Sequence, residues 1–292
     1  WPTADGSANQ ILKTDGSGTL SWATQSSGAS NVNALSDALI EDTGSMYIGN
    51  DPSSTTDEAN YNLSIGTTAL DAITTGDGNA ALGYNSLTAN TTGANNIALG
   101  YNTLAANTSG SNNLAVGYNS LAKQTDGGGF NTAIGNYTLD DNTSGDRNVA
   151  VGYVALANNS SGSYNVAVGT EALMINSGSN NTALGNDAGD GVTSGTQNVF
   201  LGAGTDPSAN DGTNQTVIGY NATGVADNSV TIGNSDVTAW YPGADNTADL
   251  GSSSVEFKDL YIDGTANLDA VDIDGGAIDG AAIGANSATT GD

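Results

Sequence analysis

The chain has 292 residues, with 31 acidic side chains against 4 basic ones and a formal charge of −27. It has no Cys and no His, which excludes disulfides, thiolate and imidazole metal sites, thiol nucleophiles and His-based catalytic triads. Its four cations, Lys13, Lys123, Arg147 and Lys258, are scattered, so no basic stripe exists to neutralise nucleic-acid phosphates or an anionic membrane surface.

The chain opens on Trp1 rather than Met and carries no signal-peptide pattern, which reads as a processed product or a piece of something longer. Residues 1–44 read as an N-terminal connector. From about residue 45 a repeat takes over: Asn, apolar, small, aliphatic, Gly. It stands as NAALG at 79–83, NIALG at 96–100, NLAVG at 113–117, NTAIG at 131–135, NVAVG at 148–152 and 165–169, NTALG at 181–185 and NVFLG at 198–202. Looser copies end at Gly49, Gly66, Gly219 and Gly233. Successive closing glycines are 17 residues apart, except for one spacing of 18, one of 16 and a last one of 14. Gly is abundant, at 41 residues, but only 4 Pro and no G-X-Y frame exclude collagen.

Within each copy the residue before Gly is aliphatic: Ile65, Leu82, Leu99, Val116, Ile134, Val151, Val168, Leu184, Leu201 and Ile218 in the regular coils. A small residue precedes it: Ala81, Ala98, Ala115, Ala133, Ala150, Ala167 and Ala183. Alternation over five residues predicts a short strand with one aliphatic and one small face. Four residues after the Gly stands Leu (Leu70, Leu87, Leu104, Leu121, Leu139, Leu156, Leu173), which predicts a second short strand. Asn/Thr/Ser/Gly turns such as NTTG at 90–93 close the unit. Such a unit cannot bury its apolar face alone. Stacking copies in register gives an all-β parallel solenoid of about twelve 17-residue coils over 45–234, roughly 55 Å long at the spacing of paired strands.

The aliphatic residue before Gly, with its counterpart two earlier and the Leu, is the expected core ladder. Three such side chains, each worth about 1.5–3 kcal/mol, do little against the backbone entropy of 17 residues. The Ala row therefore reads as an inter-chain stripe along which another copy's backbone approaches; the alternative is a solvent-exposed Ala row. The interface reading predicts a homo-oligomer.

NSVTIG at 228–233, fourteen residues after the preceding copy, resembles the head repeat of trimeric autotransporter adhesins. The longer NTAIG-type copies with N-T-[ST]-G turns resemble bacteriophage tail-fibre proteins. The flanks are similar to tail-fibre connectors: WPTADGS at 1–7 with KTDGSGTLSW at 13–22, and NTADLGSSS at 246–254 with KDLYI at 258–262. The resemblance implies a left-handed β-roll, three chains per fibre, short β-rich connectors at both ends, and a place in a virion tail fibre with a host-surface receptor and other tail proteins as partners. A bacterial cell-surface adhesin or extracellular filament is the alternative. The period of 17 departs from the adhesin period of about fourteen.

Residues 235–292 read as a C-terminal connector or triple-stranded stalk, because Ile273-Asp-Gly, Ile278-Asp-Gly and Ile283-Gly recur every five residues; an irregular linker is the other reading. No run approaches 18 apolar residues, so no bilayer-spanning segment is expected. Asp272-Ile-Asp274-Gly275 has the opening of a calcium loop but lacks its third ligand position and closing Glu. No metal, no cofactor and no enzymatic activity are expected. The residue after Gly is Tyr at Tyr84, Tyr101, Tyr118, Tyr153 and Tyr220. This row either packs on itself or on a neighbouring chain, or binds a receptor glycan through its ring faces.

Overall fold

The computed structural model describes residues 10–14, 16–24, 38–40, 44–49, 58–125, 127–241, 243, 250–252 and 254–263. The stalk rhythm at 273–284, the calcium-loop fragment at 272–275 and the connector residues 1–9 and 246–249 lie outside them. Two compact units divide the chain, 1–238 and 239–292. The described part of the second is a turn in which Ser252 pairs with Val255.

In the first unit, β1 (Gln10–Thr14) and β2 (Leu20–Thr24) form an antiparallel hairpin, with Leu12 opposite Trp22. The remaining strands form one thirteen-stranded sheet. It begins with β3 (Ala38–Ile40) antiparallel to β4 (Met46–Ile48). Then follow β5 (Leu63–Ile65), β6 (Ala80–Leu82), β7 (Ile97–Leu99), β8 (Leu114–Val116), β9 (Thr132–Ile134) and β10 (Val149–Val151). The series closes with β11 (Val166–Val168), β12 (Thr182–Leu184), β13 (Val199–Leu201), β14 (Thr216–Ile218) and β15 (Val230–Ile232). From β4 to β15 each strand pairs in parallel with the next, position for position along the repeat. The described chain is all-β, without a helix, and winds as a parallel solenoid of about ten turns.

Each strand from β4 to β15 is only three residues long and stops at a glycine for a steric reason. Gly66 has φ +137°, a region that side-chain-bearing residues rarely adopt, and a Cβ there would lie 2.7 Å from the Gly83 carbonyl oxygen of the next coil. The same conformation recurs at Gly83, Gly100, Gly117, Gly135, Gly152, Gly169, Gly185, Gly202 and Gly219.

The second element is not a strand. The Leu row lies in turns with left-handed backbone, from Leu173 at φ 49° to Leu87 at φ 53°. Each Leu N–H still reaches the next coil, as in Leu104 to the Ser120 carbonyl at 3.1 Å. Left-handed backbone costs a branched residue roughly 1–2 kcal/mol. Complete burial of the side chain, worth about 1.5–3 kcal/mol, offsets it.

The faces of the strand are the reverse of the sequence expectation. The Ala row (Ala81, Ala98, Ala115, Ala133, Ala150, Ala167, Ala183) is the inner wall of the coil, at most 1 % exposed, and is neither an inter-chain stripe nor a solvent-facing row. The expected core ladder points outward. Leu82, Leu99, Ile134, Leu184 and Leu201 are 38–49 % exposed, and Ile65, Val116, Val151, Val168 and Ile218 are half-buried. The reason is volume. The coil is one side chain wide, and the turn Leu fills it from the opposite wall, so the strand contributes only a methyl.

One coil carries the opposite arrangement. Phe200 occupies the Ala position, and the Leu row ahead of it has Gly189. A Cβ on Gly189 would lie 2.7 Å from Phe200 Cδ2 and 2.9 Å from Leu173 Cδ2. Large strand residue and absent turn side chain exchange places at nearly constant volume.

Candidate functional site

Three rows along the solenoid hold chemistry. The first is buried. The Asn four residues before each closing Gly is fully enclosed from Asn62 to Asn198. Its side chain bridges coils in both senses. Asn96 Oδ1 accepts the Asn113 N–H at 3.0 Å, and Asn96 Nδ2 donates to the Gly110 carbonyl at 2.8 Å. The same acceptor bond repeats through Asn131, Asn148, Asn165, Asn181 and Asn198 and ends on the Gln215 N–H at 2.9 Å. A second amide file (Asn90, Asn107, Gln124, Asn142, Asn159, Asn176) ties each turn to its own glycine, as in Asn90 Nδ2 to the Gly93 carbonyl at 2.9 Å. In the sequence the first Asn is only the head of the repeat, with no role assigned to it, and the second is a turn former, which it is. Burial of both files is what periodicity does not show.

The second row is the tyrosines. Tyr84 and Tyr101 stack at 5.1 Å between centroids and 19° between planes, and Tyr101 and Tyr118 at 5.2 Å and 9°. The next coil has Asn136 at this position, and Tyr137, one residue later, supplies the ring. It meets Tyr118 edge-on at 5.2 Å and Tyr153 at 6.4 Å. Four of the five expected tyrosines are thus joined into one file by a residue not anticipated, while Tyr220 stands apart and is 69 % exposed. Beside the file, Lys123 forms an ion pair with Asp141. Partial burial raises the Asp140 carboxyl above its ordinary range; Lys123 opposes this and Asp141 adds to it.

The third row lies five residues before each closing Gly, where the backbone is left-handed in every coil from Tyr61 to Asn228. Asn predominates, but Phe130, Arg147 and Tyr164 follow one another on three successive coils. The Arg147 guanidinium carbon lies 5.3 Å from the Phe130 centroid and 5.4 Å from that of Tyr164. Arg147 also forms an ion pair with Asp146 and donates to the Tyr164 hydroxyl at 3.2 Å. In the sequence Arg147 stands only as one of four scattered cations.

Further along, Asp190 is raised to about 6, first by burial and then by the neighbouring Asp206 carboxylate. Among the described residues no group of three or more acidic side chains is arranged to hold a metal ion, and no helix is long and apolar enough to cross a membrane. No protein-family profile matches the chain, and no curated protein is recognisably similar to it in sequence.

Proposed function

We propose that this chain is a structural fibre segment whose outer sheet face packs against copies of itself. The observation that carries the proposal is the part-exposed double row of uncharged, mostly aliphatic side chains on that face, broken only by Thr132, Thr182 and Thr216. Ile97 and Leu99, for example, are 49 % and 42 % exposed on one three-residue strand. All-parallel sheets are covered on both faces, and an apolar band running the length of a rod is a contact surface rather than a solvated one. The band carries no charge, so a strongly acidic chain can meet its own copies there without juxtaposing carboxylates. Ala80, between Leu63 and Ile97 in the outer row, leaves an apolar recess of about 210 Å³, room for a partner's side chain.

Three copies about one axis, with left-handed coils and twelve rungs, is the assembly supported by the resemblance to adhesin heads and tail fibres. A virion tail fibre that presents or forms a host-receptor contact is the corresponding role, with multivalent contact across the copies supplying avidity. A non-enzymatic role accords with a composition that lacks Cys and His. Light scattering on the purified chain tests the assembly: a mass three times the 28.9 kDa of one chain is expected, and a monomer would overturn it. Leu99→Asp with Leu184→Asp places charge in the band, and is expected to give monomers that keep the β-sheet circular-dichroism spectrum.

A further inference from the structure

We propose that Phe130, Arg147 and Asp146, with the recess beside them, form a binding site for a neutral saccharide. The site goes beyond the assembly proposed above and stands whether or not the chain self-associates. The recess has about 310 Å³, at the small end of ligand sites and ample for one or two sugar rings. It exists because this coil is one residue longer than its neighbours, and because Gly128 and Gly129 bring no side chains to its wall. Phe130, 57 % exposed, offers an apolar ring face suited to the C–H face of a pyranose. The Asp146–Arg147 ion pair sets an acceptor next to a fork of donors, the combination that engages vicinal hydroxyls. Because Arg147 is neutralised by Asp146 and the chain as a whole is strongly acidic, the site disfavours anionic sugars.

The row strengthens the assignment. Phe130 (φ 59°), Arg147 (φ 55°) and Tyr164 (φ 61°) adopt the left-handed conformation that Asn95, Asn112 and Asn180 fill in the same row. Asn tolerates this conformation best among side-chain-bearing residues, and bulky residues there are strained. Tyr61 and Gln197 hold the same conformation elsewhere in the row, so the left-handed backbone belongs to the repeat; what sets these coils apart is a run of three large side chains, all on the solvent side. The row also supplies its own control, since Phe130→Asn and Arg147→Asn restore the residue that suits the backbone.

The test is saturation-transfer NMR on the intact chain, in whatever assembly it adopts, with maltoheptaose, mannotetraose and galactotetraose as neutral probes and sialyllactose as the anionic one. At least one neutral probe is expected to bind with a dissociation constant of about 1 mM or better. Phe130→Asn and Arg147→Asn are each expected to weaken it about tenfold or more, with the melting temperature unchanged or higher, while Tyr101→Ala leaves binding intact. Four outcomes overturn the proposal: no neutral probe binds, sialyllactose binds best, both Asn variants bind like the parent chain, or Tyr101→Ala alone abolishes binding. A fall in melting temperature in both Asn variants with binding unchanged would assign the cluster a purely structural role.

Discussion

At the scale of single residues, the asparagines matter more than the aliphatics. Asn148 is fully buried; its Oδ1 accepts the Asn165 N–H at 3.0 Å and its Nδ2 donates to the Gly162 carbonyl at 2.9 Å. Asn148→Ala strands the buried Asn165 N–H, while the Gly162 carbonyl keeps Asn159 Nδ2 as a donor, so urea denaturation should register a loss of about 1–3 kcal/mol. Truncating an outward residue such as Val151 removes no hydrogen bond and should cost a monomer far less. Asp190 gives a pH-dependent counterpart. Its carboxyl titrates near 6 in the folded chain, above the unfolded value. Between roughly pH 4 and 6 the folded state therefore holds more protons than the unfolded one, and stability falls as pH rises through that window. Asp190→Asn should flatten this dependence and raise stability at pH 7. The gain is about 1 kcal/mol once solvent screening at this part-exposed position is allowed for, readable as a thermal shift of roughly 2–4 °C. Asp227 acts in the opposite sense. The Thr213 N–H and then the Gln215 amide lower its carboxyl, so its contribution is present at neutral pH and is lost in acid.

At the scale of the element, the strand and its glycine were legible from periodicity, but the direction in which the strand faces was not. Alternation defines two faces without saying which is inside. Assigning bulk to the interior fails when the interior is one side chain wide and the opposite wall already supplies it. Leu156 and Ala150 are both fully buried and share that space, and the exchange of Phe200 with Gly189 is its trace in the sequence. The tyrosine row was legible as a row, yet Tyr137 escaped because it enters one residue late. The turn Leu read as a strand residue because no spacing rule anticipates a left-handed Leu, which only burial makes affordable. The longer coil between Gly117 and Gly135 exposes a further rule. Its amide file has Gln124 instead of Asn, and the longer side chain donates to the displaced Gly128 carbonyl at 2.6 Å while accepting from Asn131 Nδ2 at 3.0 Å. Gln124→Asn is too short to keep both bonds. Amide hydrogen exchange should quicken locally around residues 124–131, with the melting temperature falling by a few degrees, as expected for about 1–2 kcal/mol.

At the scale of the whole molecule, charge is the main destabilising field. With −27 on 292 residues and Lys123 paired to Asp141 across adjacent coils, self-repulsion is opposed by few local cations. Raising NaCl from about 10 mM to about 300 mM shortens the Debye length from roughly 30 Å to under 10 Å and should raise the melting temperature by several degrees. A salt-independent melt would show that the carboxylates are too far apart to matter. The repeat made this architecture readable from sequence because each coil contacts only its neighbours, so one unit, once understood, describes the rod.

The coil that holds Gln124 has one more consequence. Its extra length is absorbed in the glycine stretch at 127–129, while the strand after it re-enters the sheet in register, Leu114 opposite Thr132. The fold thus contains its own splice point. A foreign peptide inserted between Gly127 and Gly128 would be displayed on the flank of the solenoid, at the place where the fold already absorbs an extra residue without losing its register.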